Sequence, residues 1–186
     1  MYLCRPNFKP DLDMGVFSAY SLPVQGLKNG IHKYNYLLDA SFFKEFEASP
    51  LNECEIEAEV ELDKRSDMMV FQVELTGWTA ALCDRCNAGI QMPLEGSHDL
   101  FVKYSEEKEE DDDEVIFISR EAPSFNLAKY LYEFSVLSLP IANVYDCKND
   151  ENPPCDTEVL QYLEGKKDND NDAPGSSVWD ALKDLK

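Results

Sequence analysis

The feature that most constrains the fold is a strict alternation of acidic and apolar side chains from Glu55 to Leu62. Successive side chains of an extended strand point to opposite faces, so this order places every glutamate on one face and every apolar residue on the other. A second alternating run, from Met69 to Leu75, follows a turn-like segment at 63–67. The two runs predict an antiparallel hairpin with one buried face and one face that carries a ladder of carboxylates.

The carboxylate ladder consists of Glu55, Glu57, Glu59 and Glu61. Two interpretations are open: a solvated outer face, or a docking face for a basic partner, which an acidic field would attract. The whole chain is acidic, because 37 Asp and Glu against 17 Lys and Arg give a formal net charge of −20. This charge excludes a protein that contacts nucleic-acid phosphates over most of its surface.

The rest of the pattern is rich in strands and contains few helices. A helix is predicted at 126–139, where Ser124 or Asn126 can cap the start and Pro140 ends the pattern. A short helix is predicted at 41–48, and further strands at 17–24, 34–38, 87–104 and 115–118. The predicted class is α+β, built on an antiparallel sheet or a partly closed β-barrel with a few helices.

The predicted organisation is one α+β domain over residues 1–164 that contains a mobile acidic loop at 105–114. Residues 165–177 predict a flexible linker, and 178–186 a short amphipathic segment suited to docking. No stretch of the chain approaches the roughly 20 apolar residues of a membrane span, and no leader pattern opens it, so we expect a cytoplasmic protein.

Cysteine spacing provides the clearest chemical signal. Two cysteines three apart, Cys83 and Cys86, can direct both sulfurs at one metal ion, and Cys147 and Cys155 would complete four thiolate ligands for zinc. The second spacing is wider than in most zinc sites, so free structural thiols remain an alternative. A redox pair at Cys83 and Cys86 is a third interpretation, although a strand rather than a βαβ unit precedes it.

Two motifs taken together resemble the YceD family of large ribosomal RNA subunit accumulation proteins. The first is Cys83-Asp84-Arg85-Cys86 at the end of a strand, and the second is Glu133 to Pro140, which reads Glu-Phe-Ser-Val-Leu-Ser-Leu-Pro. The segment from Trp179 to Leu185 matches the short ending typical of the family. The resemblance implies a role in biogenesis of the large ribosomal subunit and supplies no catalytic residues.

The usual catalytic patterns are missing from the sequence, and we expect no enzyme and no small-molecule substrate. The histidines, His32 and His98, have no nucleophile placed beside them by any motif, and no glycine-rich phosphate loop follows a strand. Together with the resemblance, the net negative charge predicts an adaptor or chaperone that binds a basic large-subunit protein through the carboxylate ladder. The alternative is direct contact with pre-ribosomal RNA through Arg85 in the Cys83–Cys86 turn.

Overall fold

A computed structural model describes residues 17–105, 115–147 and 150–165. The predicted linker and docking segment lie outside these residues, except for Gly165, and so does the acidic loop, except for Ser105. The elements in chain order are a 3-10 turn (Ser18–Tyr20), β1 (Ser21–Leu22), β2 (Gly30–Asp39), α1 (Ala40–Lys44), β3 (Cys54–Lys64), β4 (Met68–Leu82), β5 (Gly89–Tyr104), β6 (Val115–Ile118), β7 (Phe125–Asn126), α2 (Ala128–Leu137) and α3 (Thr157–Gly165).

The predicted α+β class is confirmed. The principal sheet has the order β2-β3-β4-β5-β6, and β1 pairs with β7 in a separate antiparallel ribbon. The predicted hairpin of β3 and β4 is antiparallel, with Ala58 opposite Leu75 and Val60 opposite Val73. The sheet is open and mixed, neither wholly antiparallel nor a barrel, because β6 lies parallel to β5 and β2 and β6 do not pair with each other.

The inner face of the sheet carries the hydrophobic core. On β3 every second residue is buried from Cys54 to Leu62, as the alternation predicts, because only that face meets the helices. Stacked aromatic rings connect these elements. Phe46, just after α1, stacks on Tyr132 of α2 with ring centroids 4.0 Å apart. Phe134 of α2 stacks on His98 of β5 at 4.7 Å.

Helix α2 begins as the sequence predicts and buries most of the predicted stripe. Asn126 Oδ1 accepts the N–H of Ala128 at 2.9 Å, which satisfies one of the free donors at the helix start. The apolar spacing predicts a core-facing stripe of Leu127, Tyr130, Leu131, Phe134 and Leu137. Leu127 and Leu131 are fully buried and Tyr130 and Phe134 partly buried, whereas Leu137 is 70% exposed. The small residues Ala128 and Ser135 are also fully buried, which extends the buried face beyond the prediction.

Two other regions differ from the prediction. The strand predicted at 17–24 is a 3-10 turn followed by the two residues of β1. Helix α3 has no predicted counterpart; Asp156 caps it by accepting the N–H groups of Glu158 and Val159 at 3.0 and 3.2 Å. Among the described residues, no helix is long and apolar enough to cross a membrane.

The chain groups into two compact units. The first comprises Met1–Ala80 with Gln91–Ile141, and the second comprises Ala81–Ile90 with Ala142–Lys186. In their described parts, the first unit holds most of the principal sheet together with α1 and α2, and the second holds the Cys83–Cys86 turn and α3.

Candidate functional sites

The carboxylate ladder lies on the outer face of β3, opposite the core. Glu55, Glu57 and Glu59 are exposed and Glu61 is half-buried. Lys33 of β2 forms an ion pair with Glu61, with Nζ 2.8 Å from Oε2. Among the described residues, no cation forms an ion pair with the other three glutamates.

Neighbouring strands add further acidic groups to this face. Glu59 stands directly opposite Glu74 of β4, and Glu55 lies between Asp39 of β2 and Trp78 of β4. The hydroxyl of Ser41, then the backbone N–H groups of Phe42 and Ser41, donate to Asp39 and lower the pKa of that carboxyl. This carboxyl therefore remains charged across the neutral range.

Exposed apolar side chains interrupt the acidic face. Leu37, opposite Glu57, is 57% exposed, and Ile31, opposite Asp63, is 63% exposed. A shallow depression at the centre of the face is lined by Lys33, Asn35, Glu59, Val60, Glu61, Gln72 and Glu74. We call these residues, together with Glu55, Glu57, Leu37 and Ile31, the acidic face.

The Cys83–Cys86 turn is held by its own backbone. Cys83 donates its N–H to the Ala88 carbonyl at 2.8 Å, and Asn87 donates its N–H to the Cys83 carbonyl at 2.7 Å. Asn87 adopts a left-handed conformation with φ of 59°, which asparagine tolerates better than most residues. Both cysteines are buried and bear free thiols.

Two hydrogen bonds connect the turn to the segment that leads to Cys147. Asp84 donates its N–H to the Asn143 carbonyl at 2.8 Å, and Asn143 returns its N–H to Asp84 Oδ2 at 2.7 Å. Cys147 and Cys155 are joined by a disulfide, and their Cα atoms are 6.6 Å apart. All four cysteines of the predicted zinc site therefore lie in the second unit.

The sulfur of Cys83 is placed among hydrogen-bond donors. The backbone N–H of Tyr145, then those of Arg85 and Cys86, and the Cys86 thiol lower the pKa of Cys83 to about 7, against the opposing effect of burial. Cys54, a buried thiol on β3, is affected in the opposite sense, since burial raises its pKa to about 11. The difference shows how strongly backbone donors favour the thiolate.

Arg85 is exposed, and its guanidinium lies 3.5 Å from the Cys147 sulfur. Among the described residues it forms no ion pair. It is the only cationic side chain described in the second unit, beside six described Asp and Glu side chains: Asp84, Asp146, Asp150, Glu151, Asp156 and Glu158. The surroundings of Arg85 are therefore acidic.

Sequence reasoning missed a cluster of cations in the first unit. Arg120 lies over the ring of Tyr104, 5.7 Å from the centroid, and donates to the Ser66 carbonyl at 3.4 Å. The two residues line an open pocket with Val24, Gln25, Asn29, Lys64, Arg65, Ser66 and Ala122. Only the adjacent pair Lys64-Arg65 is visible as a cationic signal in the sequence, because Arg120 joins it through the fold.

The two histidines each lie within hydrogen-bond distance of an oxygen atom. His98 Nε2 lies 2.9 Å from the Ser138 hydroxyl, and burial lowers the pKa of this histidine. His32 Nε2 lies 2.8 Å from the Lys28 carbonyl. Within the described ranges, no three His, Cys, Asp or Glu side chains are arranged to hold a metal ion. The metal role of the four cysteines remains a prediction.

A protein-family model matches part of the chain. The family model described as large ribosomal RNA subunit accumulation protein YceD matches residues 71–186, which is more than half of the chain. No curated protein and no solved structure matches the chain. The matched residues include the Cys83–Cys86 turn, α2 and both disulfide cysteines, and they exclude the ladder on β3. On this match, the chain belongs to the YceD family of large ribosomal RNA subunit accumulation proteins.

Proposed function

We propose that this protein acts in accumulation of the large ribosomal subunit as a non-enzymatic, cytoplasmic adaptor for a basic ribosomal protein. The family supports the process, and the acidic face supports the choice of a basic protein as the direct partner. The observation that carries the proposal is that, within the described residues, the ladder forms a single ion pair, between Lys33 and Glu61.

The acidic face suits a cationic polypeptide better than a small ion. Glu55, Glu57 and Glu59 project from alternate positions of one strand, so they are spaced by about 7 Å, which is twice the rise per residue. That row presents a line of charge to a line of arginine or lysine side chains. Leu37 and Ile31 beside it can pack against the aliphatic parts of those side chains.

The consequence for a ribosomal protein is protection and delivery. A free basic protein binds RNA without specificity, and covering its cations with carboxylates suppresses that binding until a better site competes. Opposite fields also accelerate the encounter, and this acceleration falls as salt is added. The proposed complex is therefore fast to form, sensitive to salt and displaced by pre-ribosomal RNA.

The test measures binding to large-subunit proteins extracted from purified ribosomes at low and high salt. We compare wild type with a variant in which Glu55, Glu57, Glu59 and Glu61 are changed to Gln. The matched control changes four exposed glutamates elsewhere, Glu45, Glu47, Glu151 and Glu158, to Gln, so that net charge falls by the same amount.

We expect the ladder variant to lose at least tenfold in affinity for a basic protein and the control variant to change by less than about threefold, since local complementarity outweighs net charge. Equal losses of affinity in the two variants would show that net charge alone, rather than the ladder, determines binding. If wild type captures no basic ribosomal protein even at low salt, the adaptor function is wrong.

The pocket at Arg120 favours a second candidate function, direct contact with ribosomal RNA. Arg120 over the ring of Tyr104 places a cation and an aromatic side chain where a base could bind, and Lys64 and Arg65 lie at the same pocket. Part of this charge is already engaged: Arg65 pairs with Asp63 at 2.7 Å, and Lys64 donates to the carbonyls of Val24 and Leu27. The pocket therefore suits one or two nucleotides rather than a long duplex.

Two variants with the same charge change separate the possible RNA sites. Titration of large-subunit RNA fragments at several salt concentrations compares Arg120→Gln with Arg85→Gln. If RNA enters the pocket, Arg120→Gln weakens binding and reduces the salt slope by about one, and Arg85→Gln has little effect. The reverse order would favour the Cys83–Cys86 turn, and no measurable RNA binding by wild type would remove this candidate.

A further inference from the structure

The principal sheet ends at β2, and the outer edge of that strand is open. β2 runs for 10 residues, from Gly30 to Asp39, and pairs on one side with β3. Within the described residues, no strand pairs with its other side. The strand contains no proline and a single lysine, Lys33, so it has little of the protection that natural edge strands carry against pairing with another chain.

We propose that a basic partner binds this edge by β-strand addition, as an extended segment in which Arg or Lys alternates with apolar residues. This inference rests on the proposed function, because it describes how the basic ribosomal protein is held. Main-chain hydrogen bonds to β2 supply affinity, and the acidic face selects the side chains of the added strand.

Two hydrogen bonds between β3 and β4 establish which backbone groups point toward β2. Arg65 donates its N–H to the Met68 carbonyl at 2.9 Å, and Ala80 donates its N–H to the Glu53 carbonyl at 2.7 Å. These bonds continue the register of the two strands at either end. Because bonded and non-bonded pairs alternate in an antiparallel ladder, the odd-numbered residues of β3 bond β4 and the even-numbered residues bond β2.

The register of β2 with β3 carries this alternation to the open edge. Even-numbered residues of the two strands stand opposite each other, as Tyr34 does Val60, so the even-numbered residues of β2 exchange hydrogen bonds with β3. The odd-numbered residues direct their N–H and C=O groups away from the sheet, and their side chains are exposed: Ile31, Lys33, Asn35 and Leu37. An antiparallel strand that exchanged two bonds with each of them would form about eight hydrogen bonds.

Charge selects the residues on one face of the added strand. Directly opposed residues of a sheet share a face, so the residues that pair with the odd-numbered positions of β2 project their side chains onto the acidic face. There Asn35 stands beside Glu59, and Leu37 beside Glu57. The added strand lies about 5 Å from β2 and about 10 Å from β3, a gap that long arginine and lysine side chains can bridge toward the glutamates.

The other face of the added strand lies on the side of Tyr34 and Tyr36, which are partly buried and pack against the core. Apolar side chains at these positions extend the core. A second copy of this chain is a poorer occupant of the edge. Joining two β2 edges would bring two acidic faces into one sheet, each from a chain with a net charge of −20.

The probe is a synthetic peptide of 10 residues, the length of β2, in which arginine alternates with valine, titrated into the full chain at low salt. With the arginine side chains on the acidic face, the arginine amides point toward β2 and the valine amides point away. Methylation of the arginine amides should weaken binding by at least about tenfold, and methylation of the valine amides by less than about threefold. Both peptides have the same charge and composition, so equal affinities would overturn strand addition.

A pair of variants tests the edge from the side of the protein. Asn35→Pro removes an N–H that β3 does not use and places a ring where the added strand would pair. The matched control, Asn35→Ala, loses the same side chain and keeps the N–H. We expect Asn35→Pro to bind the peptide at least about tenfold more weakly than Asn35→Ala, and equal affinities would overturn the proposal.

Amide hydrogen exchange of wild type, followed by NMR, keeps the test valid if Asn35→Pro fails to fold. In the free protein, the N–H groups of Tyr34 and Tyr36 should exchange slowly and those of Ile31, Asn35 and Leu37 fast, and the peptide should protect the fast set. A peptide that binds without protecting them would overturn the proposal. A dimer of the free protein in which they are already protected would do the same, since a second copy would then occupy the edge.

The binding test with extracted large-subunit proteins separates this inference from the adaptor function. If the ladder variant loses affinity for a basic protein while Asn35→Pro and Asn35→Ala bind it equally, the adaptor function stands and strand addition is wrong. If wild type captures no basic ribosomal protein but the peptide protects the odd-numbered amides of β2, the edge binds basic strands and the adaptor function is wrong.

Discussion

Replacement of Glu59 by Gln is expected to stabilise the fold, because this residue experiences more like-charge repulsion than any other ladder carboxylate. Glu57 and Glu61 lie two residues away on the same face, at about 7 Å, and Glu74 stands directly opposite on β4. At about 0.15 M salt, each pair at 7 Å contributes roughly 0.3 kcal/mol of repulsion and the cross-strand pair, at about 5 Å, roughly 0.4 kcal/mol.

The repulsion relieved is thus about 1 kcal/mol, which is an upper bound because the unfolded chain retains part of it. Attraction to Lys33 is lost in the same variant and reduces the gain, since Glu59 is one of the charges that raise the pKa of Lys33. We expect a net increase of about 0.5 kcal/mol in the free energy of unfolding at 0.15 M salt. The increase should be about twice as large at 0.01 M and nearly absent at 1 M.

Urea unfolding followed by circular dichroism at the three salt concentrations measures this effect. The control is Glu61→Gln, which relieves repulsion from Glu59 and Asp63 but also breaks the 2.8 Å ion pair with Lys33, so its stability should hardly change. A Glu59→Gln variant that is less stable than wild type at low salt, or whose gain does not shrink with salt, would refute the reasoning. A confirmed gain would mean that the ladder is kept at the expense of stability, as a docking face requires.

Three further predictions concern the first unit. Gly77→Ala should lower the free energy of unfolding by about 2–3 kcal/mol, because a Cβ at Gly77 overlaps the Glu55 carbonyl oxygen. Thr76→Ala, at the exposed neighbouring position, should not have this effect, and thermal unfolding compares the two variants. Burial lowers the pKa of His98, so its neutral ring contributes to stability fully above the unfolded pKa of about 6.5, and this contribution is lost as pH falls. The melting temperature of wild type should therefore fall between about pH 7.5 and 5.5, and His98→Gln should reduce that fall. Identical profiles of melting temperature against pH for the two proteins would contradict this. Asn126→Ala should lower the free energy of unfolding by about 2–3 kcal/mol, because three side-chain hydrogen bonds are lost. The stability of Asn126→Asp should lie between those of wild type and Asn126→Ala, and equal stabilities of the two variants would contradict this.

Predictions succeeded where the structure of an element depends on residues that are close together in the sequence. The alternation in β3 fixed its exposed and buried faces, and Asn126 was recognised as a cap, because both signals act within a few residues. The helix at 126–139 was placed correctly, and so was most of its buried face; the exceptions are Leu137, which is 70% exposed, and Ser135, which is fully buried. Burial of a small polar residue depends on neighbours that the local pattern does not contain.

The candidate sites were predictable only in part, for the same reason. Spacing alone predicted that Cys83 and Cys86 share a turn, whereas the segment leading to Cys147 is held to that turn by one main-chain and one side-chain hydrogen bond between Asp84 and Asn143. The contact of Arg120 with the ring of Tyr104 joins a residue after β6 to one at the end of β5, so no local motif predicts it. The parallel pairing of β6 with β5 likewise follows from the path of the chain rather than from its alternation pattern.

The register of β3 and β4 has a consequence for the part of the chain that carries the family match. The matched residues begin at 71, inside β4, while the partner strand β3 and helix α1 precede them. A fragment limited to residues 71–186 would leave Phe71, Val73 and Leu75 without the strand opposite them and without Phe43 in the core beneath. The segment by which the protein is recognised as a relative is therefore smaller than the segment that must fold, and truncation at the family boundary should yield an aggregating chain with an open strand edge.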